Sequence, residues 1–134
     1  MNVRVVDSSV VLAALVGTAQ HAAWAQQQLA DTPLAAPHLL HVEVANKLRK
    51  FVFQGKLSSD AASLAHAEAV RLPLDLFDYP PVAARAWSLR QNVSAYDAWY
   101  VALAELLEAP LVTLDERLAR SSGPRCDFHT PGFA

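Results

Sequence analysis

Four acidic residues of this chain stand where an apolar run ends or a helix is expected to begin. Asp7 and Asp115 each follow a short apolar run, and Glu43 and Asp97 each come early in a predicted helix. Like charges disfavour each other's ionised form, so a group of carboxylates is costly unless a cation binds among them. Carboxylate oxygens favour Mg²⁺ or Mn²⁺ as that cation. If the four acids converge, they therefore predict a metal-dependent hydrolase.

Each acid also has a structural explanation. Asp7 and Asp115 could each cap the helix that follows. Asp97 completes a capping-box pattern with the serine three residues before it. Glu43 could pair with Lys47 one helical turn further on. No single acid decides between these roles, but unrelated helix caps have no reason to meet at one place.

Composition and charge bound the class of protein. The 134 residues are 53% hydrophobic, which is enough for one domain with a substantial core. The net charge is −2, and the chain without the four acids is net positive, so a metal-loaded site would not strongly repel an anionic substrate. The single cysteine, Cys126, excludes an internal disulfide and predicts a reducing, cytoplasmic location. The apolar run 10–16 is far shorter than the roughly 20 residues of a membrane span, so no membrane association is expected.

Strand and helix patterns alternate along the chain. Strands are predicted over 3–6, 34–36, 72–76 and 111–113, with a short last one over 125–128. Helices are predicted over 9–15, 21–31, 39–53, 58–70, 82–90 and 95–108, with a short one ending at 119. This order predicts an α/β fold in one domain over residues 1–134, with a parallel sheet of four to five strands flanked by helices.

The predicted topology brings the four acids to one place. Ligands of parallel sheets bind beyond the carboxyl ends of the strands. Asp7 and Asp115 follow strands and so lie at that edge. A helix that leads into a parallel strand, or leaves one, also has an end there, so Glu43 and Asp97 are expected at the same edge.

Four short segments surround these acids: 5–9 (VVDSS), 43–46 (EVAN), 96–98 (YDA, with ALA at 102–104) and 111–118 (LVTLDERL). In this order they resemble the acidic blocks of the PIN-domain ribonucleases, in particular the VapC-type toxins of bacterial toxin–antitoxin pairs. The resemblance spans nearly the whole chain. It implies a single PIN-like domain whose acidic pocket holds one or two Mg²⁺ or Mn²⁺ ions.

The resemblance also implies roles for individual residues. Asp7, Glu43 and Asp97 correspond to the invariant acids of the family, and Asp115 corresponds to the more variable fourth. Ser8 and Thr113 match the small polar positions beside the acids. The expected catalytic set is therefore Asp7, Glu43, Asp97 and Asp115, with Asp7, Asp97 and Asp115 as metal ligands. Asn46 is expected to orient Glu43 from the next turn of the helix.

The implied reaction is endonucleolytic hydrolysis of RNA. The implied partners are RNA, a second copy of the chain in a homodimer, and a cognate VapB-type antitoxin that blocks the pocket. Four cations that follow Glu43 fit either RNA phosphates or a solvated helix face: Lys47, Arg49, Lys50 and Lys56. Tyr96 and Trp99 could stack on unpaired bases, although aromatics at helical spacing more often pack in a core.

Other functions remain to be separated from this one. A phosphatase with an aspartyl nucleophile usually has a second Asp two residues after the first, where this chain has Ser9. A phosphoacceptor receiver domain needs a strand-end lysine near the C-terminus, and none stands there. A catalytically weak PIN-like domain would only bind RNA or a protein partner, but a decayed site would tend to lose its costly charges.

Overall fold

Five parallel strands form one sheet in the computed structural model, which describes residues 2–132. The spatial order is β3-β2-β1-β4-β5. The strands are β1 Arg4–Val6, β2 Leu34–Pro37, β3 Leu74–Phe77, β4 Leu111–Val112 and β5 Phe128–His129. The helices are α1 Ser8–Val16, α2 Ala19–Leu29, α3 Leu39–Phe53, α4 Ser59–Arg71, α5 Ala83–Ser88, α6 Ala95–Leu107 and α7 Glu116–Ala119. The predicted α/β class with a parallel sheet flanked by helices is confirmed.

The central strand β1 is covered on both faces. Val5 and Val6 are both fully buried, and successive strand residues point to opposite faces of a sheet. Val5 is in register with Ala35 of β2, and Val6 with Val112 of β4. Short strands with apolar residues on both faces are typical of parallel sheets between two helical layers.

The helices form two groups around the sheet. α1 packs against α2, α3 and α4, while α6 packs against α5 and against β1, β2 and β4. Ser58 caps α4 by accepting a hydrogen bond from the N–H of Ala61 at 3.1 Å. Gly55 follows α3 with a φ of 71°, the left-handed conformation that commonly ends helices. Within residues 2–132, no helix is long and apolar enough to cross a bilayer.

Several predicted boundaries differ from the structure by one to three residues, and three of these differences have an identifiable physical reason. The region predicted as one helix over 82–90 begins with a 3₁₀ turn, Pro80–Val82, before α5. β3 starts at Leu74 rather than at 72, because α4 continues to its C-cap at 72 and a proline follows. β5 starts at Phe128 rather than at 125, because the N–H of Arg125 donates to a side chain instead of to a strand.

The strand order creates a crevice beside β1. The chain adds β2 and β3 on one side of β1 and then crosses to β4 on the other side. At such a switch point the connections leave the two neighbouring strands in opposite directions, and ligands bind at the carboxyl ends. Asp7 directly follows β1, and Thr113 directly follows β4. The fold therefore places polar side chains on both sides of this crevice.

Candidate active site

Asp7 is the most firmly held acid of the crevice. It is only 8% exposed and directly follows β1. Its Oδ1 accepts hydrogen bonds from the N–H of Ser9 at 3.2 Å and from the hydroxyl of Ser8 at 3.3 Å. Its Oδ2 accepts a hydrogen bond from the hydroxyl of Thr113 at 2.6 Å. These three donors give the carboxylate one orientation at the end of the strand.

Thr113 links Asp7 to Asp115. Its side chain is fully buried. Its hydroxyl donates to Asp7 and accepts a hydrogen bond from the N–H of Asp115 at 3.0 Å. A second link crosses the same crevice, since the hydroxyl of Ser9 accepts from the N–H of Leu114 at 3.1 Å. The segments after β1 and β4 are therefore joined by side-chain hydrogen bonds.

Asp115 caps α7 while remaining exposed. Its Oδ1 accepts a hydrogen bond from the N–H of Leu118 at 3.1 Å. The capping role considered for this residue is therefore real, and so is the capping role of Asp7 at the start of α1. A carboxylate has about four acceptor sites, so a cap leaves capacity for a ligand.

Asp97 lies in the first turn of α6 with a half-buried side chain. Its N–H donates to the hydroxyl of Ser94 at 3.1 Å, which forms one half of a capping box. The reciprocal bond from the N–H of Ser94 is not found within residues 2–132. Burial raises the pKa of Asp97, and the charges of Asp7 and Asp115 raise it further, while hydrogen bonding from the Ser94 side chain lowers the pKa in part.

Glu43 extends from the second turn of α3 and contacts α6. Its Oε1 accepts a hydrogen bond from the hydroxyl of Tyr100 at 2.6 Å. Burial raises the pKa of Glu43, and this effect outweighs the hydrogen bond from Tyr100 that lowers it. The charges of Asp7 and Asp97 raise the pKa of Glu43 as well.

Mutual repulsion therefore connects all four acids. The charges of Asp7 and Asp97 raise the pKa of Glu43. The charges of Asp7 and Asp115 raise the pKa of Asp97. An all-oxygen donor set under such repulsion fits a hard divalent cation such as Mg²⁺ or Mn²⁺. Within residues 2–132, no group of three or more Asp, Glu, His or Cys side chains is arranged to hold a metal ion without further ligands. Water would have to complete the coordination, as Mg²⁺ commonly requires.

Two hydroxyl groups of the site were not expected from the sequence. Tyr100 is 1% exposed and binds Glu43, and Ser9 joins the two sides of the crevice. Tyr100 follows Asp97 by three residues and so shares its helix face. A tyrosine about one turn after Asp97 on the same helix is the signal that could have indicated it. Asn46, by contrast, was expected to orient Glu43, but it is exposed and no hydrogen bond of its side chain is found in the described part of the chain.

Replacing Tyr100 with Phe is expected to lower the free energy of unfolding by about 1 kcal/mol, because the carboxylate of Glu43 loses a donor. Tyr96→Phe is the matched control, since Tyr96 lies on the same helix with 62% of its surface exposed. Denaturant unfolding of the metal-free protein at neutral pH measures both. Equal effects of the two substitutions would contradict a special contribution from the Tyr100 hydroxyl.

The four cations that follow Glu43 are all exposed. Lys47 shares the face of Glu43 by its i,i+4 spacing. The guanidinium of Arg49 instead lies 4.7 Å from the ring centre of Phe53 and lines a cleft between α3 and α4. Contact of Lys47, Arg49, Lys50 and Lys56 with RNA therefore stays a prediction.

The two aromatic residues beside Asp97 differ in their surroundings. Trp99 is partly buried and packs edge-on against Tyr79, with ring centres 5.3 Å apart. Packing is therefore its evident role. Tyr96 is exposed.

The raised pKa values predict how stability varies with pH in the absence of metal. The ordinary values are 4.5 for Glu43 and 3.8 for Asp97, and both are raised in the folded chain. The folded chain therefore holds these protons more tightly than the unfolded chain. Their contribution to stability is complete at pH values below the ordinary pKa and is lost as pH rises through the raised pKa.

We therefore expect the melting temperature in EDTA to fall, relative to that of a Glu43→Gln/Asp97→Asn double variant, as pH rises from about 4 toward neutrality. Thermal unfolding followed by circular dichroism at several pH values measures this difference. A constant difference between the two proteins over that range would contradict the prediction.

The chain matches known proteins over most of its length. The model of the PIN domain family matches residues 4–123. Ribonuclease VapC1 of Mycobacterium tuberculosis is 38% identical over 129 residues, which are 96% of this chain and 97% of that protein.

Two solved structures show the same fold. VapBC2 from Rickettsia felis, bound to a DNA fragment from its promoter, superposes with a TM-score of 0.67 at 12% identity, covering 96% of this chain and 98% of that one. A toxin–antitoxin complex from Klebsiella pneumoniae superposes with a TM-score of 0.67 at 18% identity, covering 98% and 99%.

Proposed function

Because this chain belongs to the PIN-domain family and to its VapC ribonucleases, we infer that it is an endoribonuclease and the toxin of a VapBC-type toxin–antitoxin pair. The observation that carries this inference is the placement of four acids, linked to one another by electrostatic repulsion, at the crevice between β1 and β4. The same four acids stand in the segments that resemble the family. We propose that one PIN domain accounts for residues 1–134.

The proposed reaction adds water across an RNA phosphodiester bond and yields a phosphomonoester and an alcohol. Asp7, Asp97 and Asp115 would hold one or two Mg²⁺ or Mn²⁺ ions. When bound, the metal would lower the pKa of a coordinated water and neutralise charge on the phosphate. Glu43 would bind the ion or orient a water at it.

The surrounding groups keep these acids in place. Ser8 and Thr113 donate to Asp7, so its carboxylate has one orientation before a substrate arrives. Tyr100 does the same for Glu43. Groups that are oriented in advance do not pay for reorganisation during the reaction, which is the usual source of electrostatic catalysis.

We also propose the partners that the family implies. VapBC2 from Rickettsia felis and the toxin–antitoxin complex from Klebsiella pneumoniae support a cognate VapB-type antitoxin. The proposed assembly of the toxin itself is a homodimer. The proposed site of action is the cytoplasm, where RNA is translated and where a chain with a single cysteine remains reduced.

The experiment that tests this function is cleavage of total cellular RNA by the purified chain. Reactions contain Mg²⁺, Mn²⁺ or EDTA, and a parallel set uses the Asp97→Asn variant. Cleavage that requires metal and is lost in the variant supports a nuclease centred on these acids. Binding of RNA without cleavage under any metal, by a preparation free of antitoxin, would favour the catalytically weak alternative. Hydrolysis of small phosphomonoesters without RNA cleavage would favour a phosphatase.

A further inference from the structure

A cleft of about 280 Å³ opens beside two of the four acids, between the turn before α6 and helix α7. Asp97 and Asp115 form part of its wall, while Asp7 and Glu43 do not line it. Its other polar lining groups are Asn92, Ser94, Arg117 and Ser121. The cleft therefore begins at the acids and continues away from them.

Arg117 is the cation of this cleft. It is exposed, and within residues 2–132 its guanidinium forms no salt bridge or hydrogen bond. Arg120 on the same helix differs, because its Nη2 lies 3.0 Å from the Oε1 of Glu116. Arg117 thus keeps all five of its N–H donors for a ligand, in a planar arrangement that suits phosphate oxygens.

Hydrogen-bond acceptors line the same cleft. The amide nitrogen of Asn92 donates to the hydroxyl of Ser122 at 3.0 Å, which orients the side chain, and its carbonyl has no donor within the described residues. The hydroxyl of Ser121 donates to the carbonyl of Leu118 at 2.6 Å, so its lone pairs remain available. Acceptors of this kind suit the N–H groups of a base edge or a ribose hydroxyl.

We propose that this cleft binds the nucleotide of single-stranded RNA next to the scissile phosphate, with Arg117 contacting a backbone phosphate of that nucleotide. The proposal rests on the proposed function, because it takes the acids as the point of cleavage. A strand that is cut there must continue past Asp97 and Asp115. The cleft offers that path, and its cation offsets the repulsion between the two carboxylates and the phosphate.

The proposal selects single strands over duplexes. The acceptors of Asn92 and Ser121 would bind donor groups of a base edge that is not already paired. In a duplex those edges are paired and stacked.

The test measures binding of a fluorescently labelled single-stranded oligoribonucleotide in Mg²⁺ at several salt concentrations. Asp7→Asn serves as the parent protein, because it is expected to cleave the probe at least about a hundredfold more slowly and Asp7 lies outside the cleft. Adding Arg117→Ala should weaken binding about fivefold at 0.1 M salt and reduce the salt slope by about 0.7, the value for one phosphate contact on a single strand. Arg117→Lys should restore most of the affinity, and a duplex of the same sequence should compete poorly.

Arg120→Ala is the matched control on the same helix, and its affinity should stay within about twofold of the parent with an unchanged salt slope. Equal losses for Arg117→Ala and Arg120→Ala would overturn the proposal, because the effect would then reflect net charge alone. Equal competition by the duplex would overturn it too. If the unmodified chain cleaves RNA and Arg117→Ala has no effect on binding, only the cleft assignment fails. If the unmodified chain neither binds nor cleaves RNA, the proposed function fails with it.

Discussion

Asp7→Asn is expected to reduce RNA cleavage by at least about a hundredfold to a thousandfold, the cost of losing one preorganised polar group in a catalytic site. The substitution removes the negative charge at the centre of the four acids and changes the side-chain volume very little. Its oxygen can still accept from the N–H of Ser9, and its amide can donate to the hydroxyl oxygen of Thr113. The fold should therefore survive while the metal loses an anionic ligand.

Cleavage assays with Mg²⁺ and Mn²⁺, together with thermal unfolding in EDTA, measure the two effects separately. Asp75→Asn is the matched control, since Asp75 is an exposed residue of the edge strand β3. Full activity in Asp7→Asn would contradict the central role of Asp7. Activity lost together with the cooperative unfolding transition would show a structural role instead.

Glu105→Ala is expected to lower the free energy of unfolding by about 2 to 3 kcal/mol, somewhat below the cost of breaking a fully buried ion pair. The carboxylate of Glu105 accepts two hydrogen bonds from Arg85, at 2.7 and 3.1 Å, and one from the N–H of Arg125 at 2.8 Å. Arg85 also donates to the carbonyl of Gly123 at 2.9 Å. This one carboxylate therefore ties α5 and α6 to the segment that leads into β5.

Equilibrium unfolding in urea measures that loss. Glu68→Ala provides the control, because Glu68 is an exposed residue of α4. Burial alone would raise the pKa of Glu105, but hydrogen bonds from Arg85 and the N–H of Arg125 hold it below its ordinary 4.5. Its stabilisation is thus present above pH 4.5 and is lost as pH falls, so the difference between variant and parent should shrink in acid. An equal loss in both variants at neutral pH would contradict the prediction.

The elements that follow local patterns were predicted most closely. The bounds of α3, residues 39–53, agree with the prediction, because apolar residues recur at helical spacing and a glycine follows. The starts of β3 and β5 were predicted two or three residues early. The start of β3 is set by the C-cap of α4 and the proline that follows it. The start of β5 depends on the long-range bond from Arg125 to Glu105, which no local pattern contains.

In the candidate site, too, features set by local sequence were predicted and long-range contacts were missed. Asp7 and Asp115 were found from their position after strands, and both also cap helices, so the structural and catalytic explanations are compatible. The partner of Glu43 was missed, because Tyr100 lies 57 residues away and on another helix. The cation cluster after Glu43 could be located by sequence, but the stacking of Arg49 on Phe53 depends on side-chain conformation.

The hydrogen bond between Thr113 and Asp7 joins residues that are 106 positions apart. During synthesis, the first of these residues leaves the ribosome long before the second. A nascent chain therefore holds only part of the acidic site until the region around residue 115 has emerged and β4 has inserted beside β1. The order of translation therefore delays the activity. A partner that must restrain the nuclease can bind at any time before the last part of the domain folds.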